Sequence, residues 1–197
     1  GLERAPLDPR ASLMRVLLLN PPAEEVVIRA YLCSKTTKSN YLFHPIDLVV
    51  LSGTLAERHE TRVLDCVAER LDAAAAAQRI AALDPEVIFS LGGPVSWPGD
   101  RAFLSREAAR GRRVIVLGDV VHEAAEQRLA EEPWIEAALH VFANQDAVHY
   151  LAGEREALSE MTVRDAGGRP RRITRGGKQR GSYRVPRPRH EIGRAHV

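Results

Sequence analysis

A chain of 197 residues that is 45% hydrophobic supplies one good core and not two large ones. It contains no apolar run of the ~18 residues that a membrane-crossing helix needs. Its start, GLERAPLDPRASLM, lacks the apolar centre of a secretory signal, and two cysteines, Cys33 and Cys66, are too few for a disulfide framework, so a reducing cytoplasm is the expected setting.

The net charge of +2 conceals an asymmetry. From Arg164 to Arg189 ten Lys/Arg face the single acid Asp165, a net +9, which leaves about −7 on residues 14–163.

In chain order, residues 1–13 read as an unstructured leader, with Met14 the candidate start. RVLLLN (15–20) is a short continuous apolar run, as in a strand buried on both faces. TRVLDCV (61–67), EVIFSLG (86–92), RRVIVLGD (112–119) and IEAALHVF (135–142) are four more. Helical stretches lie between and after them. HPIDLVVLSGTLAER (44–58) has Pro45 in place for a first turn, and LDAAAAAQRIAALDP (71–85) has Asp72 as N-cap and Pro85 as stop. GDRAFLSREAARG (99–111) has Asp100 as the predicted cap and Gly111 as the close, and 122–133 and 144–154 complete the series.

Strands alternating with helices predict an α/β fold with helices on both faces of a parallel sheet. Five strands predict a flavodoxin-like (Rossmann-like) three-layer sandwich, order 2-1-3-4-5, over residues 14–160. Ligands of such sheets bind beyond the carboxyl ends of the strands, where the order reverses. Residues 161–190 read as a basic linker with the pattern of a hairpin: MTVRD, an AGG turn, RPRRIT. Too few apolar residues follow for a second core.

The usual tenants of this architecture leave marks that can be checked. The loop after the first strand, LNPPAEE, has no glycine, which argues against a dinucleotide fingerprint, and no P-loop is present. Asn20 and Ser90 stand where a phosphoacceptor receiver needs acids. What remains is an NPP end to the first strand, a polar loop of about 22 residues, SLGGP after the third strand and LGD after the fourth. Gly92, Gly93 and Gly118 either leave the backbone open to a planar ligand or only make tight turns.

MRVLLLNPP, HPIDLVVLSGTLAER, TRVLDCVAERL, PEVIFSLGGP and RRVIVLGDVV, in this order and spacing, resemble the cobalamin-binding domain at the N-terminus of radical S-adenosylmethionine enzymes. The resemblance spans roughly 14–153. It implies a corrin over the carboxyl edge of the sheet and a nucleotide tail between the loops after the first and third strands. The matching positions are Asn20, Pro21 and Pro22, then Ser90, Leu91, Gly92 and Gly93, then Gly118 and Asp119. Ser90 would donate to the tail, and the long loop from Tyr31 to His44 would cover the corrin rim. Lys35 and Lys38 lie in that loop, near the rim or simply in solvent.

The D-x-H-x-x-G motif of methionine-synthase-like cobalamin domains, whose His ligates cobalt, has no match here. His44 lies in the right loop without that context and reads as a helix-entry residue. His122 reads as an N-cap neighbour, Cys33 as an inert thiol, Cys66 as core and Asp65 as a turn-capping acid. The resemblance therefore implies cobalamin with its own base displaced and no protein His ligand, a geometry suited to methyl transfer. A radical enzyme of this class also holds a four-iron cluster on C-x-x-x-C-x-x-C and binds S-adenosylmethionine. Two cysteines cannot hold that cluster, so a radical domain in cis is the implied partner.

The competing reading is a stand-alone flavodoxin-like interaction or regulatory domain whose basic tail binds nucleic acid. With Tyr183 the only aromatic residue of that tail, base stacking would be poor. The last seven residues, EIGRAHV (191–197), back-translate as a common sequencing adapter read in frame and are expected to be an artefact, which makes the preceding YRVPRPRH a linker leading to a further domain.

Overall fold

The computed structural model describes residues 13–30, 33–36, 44–122 and 124–175. The readings of residues 1–12, Tyr31, Lys38, 176–190 and 191–197, and the side-chain readings of Cys33 and Lys35, lie outside the described residues.

Five strands carry the predicted core: β1 (Arg15–Asn20), β4 (Glu60–Asp65), β5 (Val87–Leu91), β6 (Arg113–Leu117) and β7 (Ile135–Leu139). They are parallel and lie in the order β4-β1-β5-β6-β7, the predicted 2-1-3-4-5. The strand count is corrected from five to seven. β8 (Glu160–Arg164) pairs antiparallel with β7, setting Leu139 opposite Met161, and β9 (Pro170–Thr174) pairs antiparallel with β8. A hairpin with no core of its own is held because Met161 and Val163 point into the core already built by the sheet. Two antiparallel steps return β9 to the direction of β7.

The alternation of each strand loads both faces. Val16 and Leu18, Phe89 and Leu91, Ile115 and Leu117 face α1 (Ile46–Leu55) and α6 (Asp146–Leu151). Leu17 and Leu19, Ile88, Val114 and Val116 face α2 (Ala73–Leu83), α3 (Trp97–Ala109), α4 (Asp119–His122) and α5 (Ala125–Glu131). The result is the three-layer sandwich, and each fully buried Leu, Ile or Phe contributes about 1.5–3 kcal/mol.

Local signals set both ends of α2. Asp72 caps α2, its carboxylate accepting from the Ala75 N–H at 2.8 Å, and α2 stops where Asp84 turns left-handed ahead of Pro85. Two expectations fail. The helix expected over 122–133 begins later, as α5, and a separate short helix, α4, precedes it, so His122 ends that helix instead of starting the expected one. Asp100 does not cap α3: that helix begins at Trp97, and Asp100 sits fully buried in its first turn. The polar loop after β1 also holds structure that periodicity did not suggest, an antiparallel two-stranded sheet of β2 (Val27–Ala30) and β3 (Cys33–Thr36). Among the described residues no helix is long and apolar enough to cross a membrane.

Candidate functional site at the carboxyl edge of the sheet

Parallel pairing brings the ends of β1, β4, β5, β6 and β7 to one edge. Asn20 and Asp65 are register partners there, and the Asn20 amide donates to Asp65 Oδ1 at 2.8 Å. The same oxygen accepts from the Ala68 N–H at 3.1 Å, so Asp65 caps the turn after β4. Asn20 turns its own Oδ1 toward Arg29 of β2, whose Nη1 donates to it at 2.8 Å and to the Pro21 carbonyl at 3.0 Å.

The other side of that guanidinium meets α3. Arg29 Nη2 donates to Asp100 Oδ1 at 2.6 Å, and Nε donates to Asp100 Oδ2 and Ser96 Oγ, both at 3.0 Å. Asp100 Oδ2 also accepts from Ser96 Oγ at 2.7 Å and from the Gly93 N–H at 3.4 Å. The ion pair is closed to solvent, with side-chain exposures of 0% and 1%. Burial pushes the Asp100 carboxyl up from its ordinary value, while Arg29, by charge and hydrogen bond, and Ser96 pull it back.

The residues expected to bind a ligand are brought to this edge but differ in access. Ser90 is fully buried, and its hydroxyl donates to the Leu91 carbonyl at 3.1 Å. Leu91 points into the core against α1. Gly92 and Gly118 pack on each other: a Cβ on Gly118, which has φ +104°, would come within 2.7 Å of the Gly92 carbonyl, and one on Gly92 within 2.6 Å of Val120 Cγ1. Their small size serves a close approach of two chain segments. Gly93 lends its N–H to Asp100. Pro21 is buried, and Pro22 and Asp119 are half-buried.

Apolar surface is exposed at the same edge. Ile46, at the start of α1, is 50% exposed and Val95, in the loop after β5, is 53% exposed. Val95 also lines a cleft of about 700 Å³ that runs between residues 22–29, the N-terminus of α2 and α3; its walls include Pro22, Val27 and Phe103, with Arg29 and Asp100 on one side. A volume of this order suits a small organic group.

Three further residues belong to the edge or its margin. His140 follows β7, is 5% exposed, and pairs through Nε2 with Thr162 Oγ1 at 2.8 Å; burial, aided by Arg172 and His122, holds its pKa down at about 4. His122 lies 6.3 Å from it, ring centre to ring centre. Cys66 is buried, and desolvation with the Asp65 charge beside it pushes its thiol up to about 12, which disfavours the thiolate. Among the described residues no three His, Cys, Asp or Glu side chains converge as a metal site.

Sequence reasoning missed Arg29, Asp100 as an ion-pair partner, and His140. Arg29 carried one signal, a single cation inside the apolar run VVIRA, which a strand can bury only if a partner meets it. Against a bound cobalamin the edge divides. The exposed Ile46 and Val95 suit the broad face of a corrin, whereas the crevice between the loops after β1 and β5, the expected path of the nucleotide tail, is filled by the Arg29 guanidinium.

No protein-family model matches the chain, and no curated protein matches it. Among solved structures, the chain is similar to the cobalamin-dependent S-adenosylmethionine radical enzyme OxsB with aqua-cobalamin bound, at a TM-score of 0.67 and 12% identity over 94% of this chain. The chain spans 26% of the length of that enzyme, and at this identity the likeness is one of fold.

Proposed function

We propose that this chain is a cobalamin-binding module, and that in its parent protein it serves a radical S-adenosylmethionine enzyme, a methyltransferase or another enzyme that modifies carbon centres. The observation that carries the reading is the agreement of 94% of the chain with part of a cobalamin-dependent radical enzyme, on a fold whose carboxyl edge exposes Ile46 and Val95.

On this reading the corrin lies over the ends of β1, β5 and β6. Ile46 and Val95 meet its apolar surface, and Pro22, Asp119 and the backbone around Gly93 border it. Asn20, Pro21, Ser90, Leu91, Gly92 and Gly118 shape the edge from beneath. The cofactor, when bound, supplies a cobalt able to carry a methyl group, and the chain contributes its placement and the exclusion of water from one face. The four-iron cluster and S-adenosylmethionine belong to a radical domain in cis.

The test is direct. Hydroxocobalamin is added to the purified chain, the mixture is desalted, and the visible spectrum is recorded. Retained corrin absorbance near one equivalent supports the reading. Loss of all absorbance, with RNA binding that weakens steeply as salt rises, replaces it with the interaction-domain reading.

A further inference from the structure

Arg29 stands on a four-residue strand of a sheet with two members, and a lone two-stranded ribbon is marginal in water. The place of this ribbon therefore depends on what ties it to the body. Arg29 does so with hydrogen bonds to four residues around the loops after β1 and β5: Asn20, which ends β1, Pro21 just beyond it, Ser96 just before α3, and Asp100 in the first turn of α3. Charge-assisted, forked bonds of this kind are strong and geometrically specific.

We infer that Arg29 is a positioning residue of the ligand site: by filling the crevice between these loops it anchors the β2–β3 hairpin as a fixed wall against which a ligand on the carboxyl edge is held. The identity of the ligand rests on the cobalamin reading; the anchor does not. The Arg29 side chain is closed to solvent, so its role is to hold the hairpin in place.

The experiment uses the full chain, hydroxocobalamin as probe, and two variants. Arg29→Lys keeps a cation for Asp100 but cannot reach both loops. Arg29→Met with Asp100→Leu removes the pair without leaving a buried charge alone. In the ligand-free chain, hydrogen exchange at the amides of residues 27–30 is expected to quicken about 10-fold, the loss of one or two such bonds, while the amides of β1 and β5 stay protected. Hydroxocobalamin is expected to dissociate about 10-fold faster, its association rate little changed.

Unchanged exchange at 27–30 overturns the anchor. A loosened hairpin with unchanged dissociation overturns the wall. Faster association with unchanged dissociation makes Arg29 a plug and overturns the positioning role. Wild-type chain that retains no hydroxocobalamin fails the cobalamin reading itself and the wall with it, and the exchange measurement still decides the anchor.

Discussion

The two ends of the carboxyl edge bury polar groups in opposite ways. At the β1–β5 end a full positive charge meets a full negative one, and Arg29 and Asp100 are surrounded by Asn20, Ser96 and backbone groups that complete their bonding. At the β7–β8 end a titratable ring is kept neutral. His140 has one nitrogen on Thr162, and the other, Nδ1, is buried with no hydrogen-bond partner. The neighbouring Asp146 spends its acceptors elsewhere, on the Ser159 N–H and hydroxyl, the Glu160 N–H and Asn144. The first arrangement is brittle to mutation. The second is quiet at neutral pH and brittle to acid.

The largest effect that would break this contrast is at Arg29. Arg29→Met leaves the buried Asp100 without its counter-charge, at a cost of about 3–5 kcal/mol in urea unfolding, and adding Asp100→Leu recovers most of it. A double variant as unstable as the single one would show that the charge is not what the site is built around.

Acid tests the other end. His140 titrates at about 4 when folded against the ordinary 6.5 when unfolded, so the unfolded chain takes up the proton first. The stability associated with neutral His140 is fully present above pH 6.5 and is lost as pH falls through 4, up to ~3 kcal/mol. His140→Gln removes that part of the pH dependence, which unfolding curves at pH 7 and pH 4.5 would register as a smaller difference between them.

Between the two ends, Gly118→Ala is expected to cost more than about 1 kcal/mol, from its positive φ and the 2.7 Å approach to the Gly92 carbonyl. A thermal melt at wild-type level would remove the close approach as an explanation of that glycine. Smallest is Arg62→Ala, which breaks a 3.4 Å pair with Glu60 between side chains 63% and 50% exposed. It should change unfolding free energy by less than about 0.5 kcal/mol, the reference against which the buried pair is measured.

The order of the parallel strands was legible because each strand announces itself locally. RVLLLN, EVIFSLG and RRVIVLGD are short apolar runs between turn residues, and the βαβ rule then limits their arrangement. The β8–β9 hairpin was legible as a turn but not as part of the sheet, since Met161 and Val163 gain burial only from residues contributed by other strands. Asp100 was misread for the same reason: an acid near a helix start is a cap by local chemistry, and only its contact with Arg29 makes it an ion-pair partner. Ser90 and the glycines were placed at the carboxyl edge, while their burial there depended on packing that no spacing reports.

Sequence by itself determined the α/β class, the positions of most strands and helices, the cap at Asp72, and that Asn20, Ser90 and the glycines lie at the carboxyl edge of the sheet. Periodicity and turn chemistry act over a few residues, so they can be read there. Only the tertiary structure decided that Arg29 and Asp100, 71 residues apart, share one buried ion pair, and that this pair closes the crevice. A cation in an apolar run says that a partner must exist; which carboxylate answers it is settled when the sheet sets the ends of β1 and β5 side by side.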